Sequence, residues 1–364
     1  MTKQISNHES QRHEDAAREE WRKERKIKCL VWDLDNTLWN GVLLEDQPVT
    51  LRDEAVAVIH ALDNRGILHS IASRNDFDAA MAQLQKFGLQ EFFIHPQINW
   101  GAKSRSMQRI AETVNIGIDT LAFVDDQAFE RDEVNSVYPE VQCYDVADLD
   151  GIVDRPEMMP RFISDESRLR RQMLQAEITR NQVEESYEGA QDEFLTSLAM
   201  QLEIRPAREQ DLQRAEELTL RTNQLNTTGR TYSYQELDEL RKSDDFLLLV
   251  ASLEDKYGNY GTIGLVLIEK HKDEWWIRLL LMSCRVMNRG IGGALITYVR
   301  QCAKDAGVRL FADMLVNDRN RMMYMTYKFN HFREVENSGD VTLLENDLGR
   351  IQPYPSYLTT KKPA

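Results

Sequence analysis

The feature that most constrains this chain is a rhythm. From Ile27 to Val146, strand-like apolar runs alternate with amphipathic stretches. "IKCLVWD" is apolar without alternation, as expected of a strand covered on both faces. "ILHSIAS", "TLAFVDD" and "VQCYDV" follow as further strands, and "EFFIHPQI" reads as another. Between them, "RDEAVAVIHALDNRG", "DFDAAMAQLQKFG" and "KSRSMQRIAETVN" carry helical spacing, with stops at Gly66 and Gly88. Such alternation predicts a parallel sheet with helices on both faces over residues 27–155.

Two of these strands end on paired acids, Asp33 with Asp35 and Asp125 with Asp126. The carboxyl edge of an open α/β sheet is where ligands bind. Residues two apart in an extended segment share a side, so both carboxylates of DLDNT can reach one pocket. Like charges that close repel, and each is costly to desolvate. A hard divalent cation such as Mg²⁺ relieves both problems and sits readily beside a substrate phosphate. Thr37 and Ser73 offer hydroxyls to phosphate oxygens, and Lys103 can neutralise a phosphoryl group. Asp125 and Asp126 complete a metal site with Asp33 and Asp35. Arg74, Asn75 and Arg131 are further substrate-binding candidates, and for Arg131 a surface ion pair is the competing reading.

A second α/β pattern begins at "QLEIRPA" and is expected over 201–364. Residues 156–200 are highly charged and lack a strand run, so one or two connecting helices are expected there. Residues 1–26 read as a polar arm without the apolar core of a secretory signal. With 364 residues, 42% of them hydrophobic, the chain suits two packed domains. Its net charge of −15 argues against nucleic-acid binding. No apolar run is long enough to cross a bilayer. Four separated cysteines without a CxxC pair fit a reducing cytoplasm.

In the second pattern, "CRVMNRGIGGALI" sets Arg289, Gly290, Gly292 and Gly293 between a strand and a helix. Backbone N–H groups at such a helix start can cradle a pyrophosphate or phosphopantetheine arm. Candidates for acyl transfer are Tyr327 as an acid and Cys284 or Cys29 as a thiol nucleophile. Packing is the commoner role for a tyrosine in an apolar helix and for a cysteine in an apolar strand.

The ordered set DxDxT, Ser73, Lys103 and Asp125–Asp126 resembles the haloacid dehalogenase-like superfamily. That resemblance implies Asp33 as the nucleophile that forms an aspartyl-phosphate and Asp35 as general acid/base. The segments between the motifs leave no room for a cap domain. The RGxGG loop, with Asn317, Asn320, Tyr327 and Phe332 downstream, resembles the coenzyme-A loop of the GCN5-related N-acetyltransferase fold. Asn288 and His331 stand where glycine is usual, so the turn at His331 can differ. The expected architecture is therefore a capless haloacid dehalogenase-like parallel-sheet domain followed by a GCN5-related acetyltransferase-like α/β domain.

The pairing, with "KCLVWDLDNTLWNGVLLED", "FVDDQAFERDEV", "LRTNQLNTTGRTYS" and "LMSCRVMNRGIG", resembles the FkbH-like glyceryltransferases. This implies Mg²⁺-dependent dephosphorylation of 1,3-bisphosphoglycerate and glyceryl transfer to the phosphopantetheine thiol of an acyl carrier protein, for polyketide or tetronate biosynthesis. Two alternatives stay open. One is a Mg²⁺-dependent phosphatase with a second domain that only binds, and the other an acetyl-CoA-dependent N-acetyltransferase. Docking an acidic carrier protein would need local basic residues, for which Arg168, Arg170, Arg171, Arg319 and Arg321 are candidates.

Overall fold

The computed structural model describes residues 26–361, apart from 46–47, 161–162, 223, 317–319 and 339–340. The expected polar arm, up to residue 25, lies outside the described residues, as do Asn317 and Arg319. The chain divides into two compact units, Met1–Gln172 and Met173–Ala364.

In the first unit, β1 (Cys29–Trp32) is followed by a two-stranded hairpin, β2 (Trp39–Asn40) and β3 (Thr50–Leu51). The chain continues through α1 (Asp53–Asp63), β4 (Leu68–Ser73), α2 (Phe77–Lys86), β5 (Gln97–Ile98), α3 (Lys103–Val114), β6 (Leu121–Asp125), α4 (Ala128–Val137) and β7 (Gln142–Asp145). The sheet order is β5-β4-β1-β6-β7, and every pair is parallel. All four residues of β1 are buried, as its unbroken apolar run requires. The chain leaves β1 first toward β4 and later toward β6, so strand order reverses there. The crevice at such a switch point is where ligands bind in doubly wound sheets. Between the acids after β1 and the first helix, the described residues form the β2–β3 hairpin and no larger insert.

Two readings of this half need correction. "EFFIHPQI" is not a full strand: Phe93 makes a lone bridge to His69, His95 adopts a left-handed φ of 48°, and only β5 is regular. The helix α4 was not foreseen, because its charged surface leaves Glu130 and Val134 as its buried residues.

The segment 156–200 carries α5 (Arg170–Glu185) and α6 (Gln191–Ser197), and the division between units falls inside α5. Within the first unit, Arg171 donates to both Asp63 oxygens at 2.9 and 3.2 Å and to the Glu91 carbonyl. Its guanidinium also lies 4.4 Å from the Phe92 ring centroid. Arg170 donates to the Gly66 carbonyl. Arg171 is thus a packed internal group rather than part of a docking patch.

The second unit contains β8 (Met200–Pro206), α7 (Leu212–Arg221), α8 (Tyr234–Lys242), β9 (Phe246–Asp255), β10 (Gly258–Lys270), β11 (Glu274–Met282), α9 (Ile291–Ala306), β12 (Arg309–Leu315), α10 (Arg321–Phe329), β13 (Phe332–Ser338), β14 (Val341–Asn346) and β15 (Leu358–Lys361). They form an eight-stranded mixed sheet in the order β13-β14-β12-β11-β10-β9-β8-β15. Successive residues of β9 serve opposite faces. Leu248 and Val250 join one buried cluster, and Leu249, Ala251 and Leu253 join another. Both faces are therefore covered, which explains the near-continuous apolar text of β9 to β11.

Candidate active site

Sheet register brings the acids together. Trp32 pairs with Ile71 on one side and Val124 on the other, so Asp33 and Asp125 are the next residues on adjacent parallel strands. The Asp33 amide donates to the Val124 carbonyl at 3.0 Å, which fixes that step. Ligand atoms of Asp33, Asp125 and Asp126 lie within 4.8 Å of one another. Three carboxylate oxygens at that spacing fit a hard divalent cation.

Lys103 opens α3 and is 4% exposed. Its Nζ donates to Asp33 Oδ1 at 2.7 Å and to Asp125 Oδ2. Burial alone would lower its pKa, but Asp33 and Asp125 outweigh burial and raise it. The carboxyl of Asp125 is pushed up to about 6, first by burial and then by the Asp33 charge, against Lys103. Burial also raises Asp126, with Asp33 adding to it. Thr37 Oγ1 accepts from the Asp126 amide at 3.1 Å and lies 3.4 Å from Asp33 Oδ2 and from Asp126 Oδ1.

Asp35, the other expected metal ligand, is not among the three residues whose ligand atoms converge, and its two oxygens are held by other partners. Its Oδ1 accepts from Trp39 Nε1 at 2.7 Å and from the Leu43 amide at 3.0 Å, and its Oδ2 accepts from Asn75 Nδ2 at 2.9 Å. Burial nonetheless raises its pKa. Asn75 is buried, and its Oδ1 accepts from the Asp76 amide. Both ends of its amide make a hydrogen bond within the protein, one of them to Asp35.

Ser73 ends β4 and is buried beside the site. Arg131 donates to the Asp125 carbonyl at 2.6 Å and pairs with Asp145 at 2.6 Å, tying β6 to β7. It is a brace for the strand that carries Asp125. Arg74 pairs with Glu130 at 2.8 Å. Three supporting residues went unforeseen. Trp39 holds Asp35, Arg52 donates to the Asn36 carbonyl at 3.1 Å, and Glu133 accepts from the Ser104 amide and hydroxyl at the start of α3. The paired motif residues stand out by their spacing, whereas Arg52 and Glu133 are distant in sequence from what they hold, and Trp39, four residues from Asp35, reads as one more apolar residue.

In the second unit, the glycine loop divides by role. Gly290 has φ 73° and precedes α9. A Cβ there would meet Tyr357 Oη at 2.5 Å and Pro355 Cγ at 3.3 Å, so the C-terminal segment packs on it. A Cβ on Gly292 would meet Met282 Cε at 2.9 Å, whereas on Gly293 it would meet one atom, Asn330 Nδ2, at 3.9 Å. Gly293 is the open position. Arg289 is buried and pairs with Glu184 at 3.1 Å. Asn288 and His331 have φ values of 61° and 63°, so each keeps the left-handed turn usual for glycine.

The acyl-transfer candidates fare unequally. Tyr327 is fully buried, and burial pushes its hydroxyl's pKa up. Pairing of β11 with β12 runs to Ile277 opposite Ala312. Beyond it, Thr227 fills the gap: its amide donates to the Leu280 carbonyl at 3.0 Å and its carbonyl accepts from the Leu315 amide at 2.9 Å. Cys29 is fully buried, and burial pushes its thiol's pKa up. Cys284 is exposed at a turn after β11. Among the described residues, no helix is long and apolar enough to cross a membrane.

No protein-family model matches the chain. Magnesium-dependent phosphatase 1 of Homo sapiens is 28% identical over 122 residues, covering 28% of this chain and 69% of that protein. The N-terminal part of protein BF1531 from Bacteroides fragilis, containing a phosphatase domain complexed with Mg, is 26% identical with a TM-score of 0.34. That match covers 38% of this chain and 42% of the other, so it spans less than half of that chain's length. The GNAT domain of S. lividans PAT is 18% identical with a TM-score of 0.33, over 39% of this chain and 88% of that one.

Proposed function

We propose that the first unit is a Mg²⁺-dependent phosphotransferase, and that the whole chain dephosphorylates 1,3-bisphosphoglycerate and loads its glyceryl group onto the phosphopantetheine thiol of an acyl carrier protein. The observation that carries the phosphotransferase reading is the convergence of Asp33, Asp125 and Asp126, with Lys103 bonded to two of them. The likeness to a human phosphatase named for magnesium supports the metal. Mg²⁺ held by Asp33, Asp125 and Asp126 would supply positive charge for the phosphoryl oxygens as negative charge spreads over them.

The protein's own groups do the rest. The Asp33 carboxylate attacks phosphorus, forming an aspartyl-phosphate as the ester bond breaks. Asp35 gives its proton to the leaving oxygen and then takes one from the attacking water. Its burial-raised pKa and its three hydrogen bonds suit a group that must hold a proton in a fixed place. Lys103 and the hydroxyls of Thr37 and Ser73 hold the transferred group. At the other end of the substrate, an acyl phosphate is activated enough for a thiol to displace phosphate without ATP. The open backbone at Gly293 suits a pantetheine arm.

Incubation with 1,3-bisphosphoglycerate, Mg²⁺ and holo carrier protein tests this by mass spectrometry and phosphate release. A glyceryl increment on the arm is expected. Asp33→Asn is expected to stop cleavage of the phosphoester, and persistent cleavage would overturn the nucleophile assignment. A second reading, a phosphatase whose second unit only binds the arm, is favoured by the burial of Tyr327. Phosphate release without a carrier adduct selects it. Acetyl transfer to an amine, without phosphate chemistry, would select the acetyltransferase.

A further inference from the structure

One cation near the site has no part in the phosphoryl chemistry. Arg74 directly follows Ser73 at the end of β4. Its Nη1 is 2.8 Å from Glu130 Oε1, and its Nε donates to the Gly101 carbonyl at 3.3 Å. Gly101 lies two residues before Lys103, and Glu130 four after Asp126. Arg74 therefore joins the three loops that deliver Ser73, Lys103 and the Asp125–Asp126 pair.

The two partners are unequally placed. The Arg74 side chain is 40% exposed and that of Glu130 is 4% exposed. Glu130 Oε2 is buried with no hydrogen-bond partner among the described residues. A buried carboxylate with one oxygen unmatched is a poor choice for a mere staple. The adjacent residue Arg131 already braces the strands and is more buried.

Charge gives Arg74 a task. Asp33, Asp125 and Asp126 crowd one pocket beside a single ammonium, Lys103, which is committed to two of them. A second negative group on a substrate is repelled by these acids and needs a cation outside them. The arginine fork matches a carboxylate or phosphate, and holding two of its nitrogens lowers the ordering cost of binding. We infer that Arg74 selects phosphoesters bearing a second oxyanion close to the ester, and that Glu130 is the positioning residue that aims it. This rests on the phosphotransferase reading above and narrows its substrate class.

The test uses the full chain with Mg²⁺, comparing kcat/KM for 3-phosphoglycerate and glycerol 3-phosphate. Asp33-dependent cleavage of p-nitrophenyl phosphate serves as the check on phosphoryl chemistry. Wild type is expected to prefer 3-phosphoglycerate. Arg74→Ala should lower the ratio between the two esters about 10- to 100-fold, the range for a lost charge-assisted hydrogen bond. Arg74→Lys should restore only part of it, because the fork is gone. Glu130→Gln should raise KM for 3-phosphoglycerate by a larger factor than it lowers kcat. Equal losses on both esters in Arg74→Ala, or no preference in wild type that still cleaves p-nitrophenyl phosphate, would overturn the inference alone. Absence of all three cleavages would overturn the phosphotransferase reading, and the inference with it.

Discussion

Lys103 concentrates the energetics of the first site in one side chain. Three carboxylates crowd one pocket, and its ammonium answers two of them from an almost fully buried position. Removing one partner of a buried charged set costs about 3–5 kcal/mol, because the remaining charges stay uncompensated. Lys103→Met is therefore expected to lower Tm in metal-free buffer. Millimolar Mg²⁺ should then restore more stability to the variant than it adds to wild type, since the cation takes over charge that Lys103 no longer balances. Differential scanning calorimetry with and without chelator checks this, and equal metal effects on both proteins would sink it. The convergence of Lys103 and the acids was legible because charged residues at strand ends and helix starts break an otherwise apolar rhythm. Asp35 was legible as a chemical group but not as a separate one. Its isolation depends on Trp39, Leu43 and Asn75, whose contacts arise only once the hairpin and the loop after β4 have folded.

At the scale of elements, α9 shows how one glycine loop holds two kinds of glycine. Gly290 needs a left-handed backbone and has Tyr357 against it, so Gly290→Ala is strained twice over. A loss of at least about 1–2 kcal/mol is expected, from the left-handed cost alone. Gly293 has neither constraint. Gly293→Ala removes the helix penalty of glycine and should stabilise by up to about 1 kcal/mol. Urea unfolding of both variants measures the contrast. If Gly293→Ala gains stability yet weakens binding of a phosphopantetheine thiol, that glycine is kept for ligand access; unchanged binding would leave it without that role. The elements read best from sequence were those with long apolar runs, β1, β4, β6 and β9 to β11. α8 was missed because it is mostly polar, with Leu237 as its buried residue, and its start is set by a Ser233–Glu236 capping box. β13 was missed because it is the edge strand, where charged residues such as Glu334 and Glu336 carry no strand signal, and β14, paired with both β13 and β12, was missed because its run is short and mixed.

For the whole molecule, the alternation of strands and helices disclosed two successive α/β units, and composition set their combined size. It could not disclose that the boundary falls inside α5, since Arg171 and Arg180 look alike in sequence while one is bound to Asp63 and the other to Asp255. Under the proposed function, each unit handles a different end of one substrate. The phosphoester needs Asp33. The acyl phosphate does not, because a thiol can displace phosphate from an activated carbonyl unaided by a carboxylate nucleophile. The two chemistries should therefore separate in a single variant. Asp33→Asn, supplied with 1,3-bisphosphoglycerate and holo carrier protein, is expected to leave a phosphoglyceryl group on the pantetheine arm, where wild type leaves a glyceryl group. Intact-mass spectrometry distinguishes the two adducts by one phosphate. A variant that leaves no adduct at all would mean that loading waits for dephosphorylation, and the independence of the two units would be wrong. The net charge of −15 adds a condition to the same assay. Long-range repulsion slows an anionic substrate's approach, and salt screens it within a Debye length of about 10 Å at 0.1 M. Raising ionic strength from low to physiological values should then increase kcat/KM while kcat holds, and a fall in kcat/KM would show that local cations, Arg74 among them, govern the encounter instead.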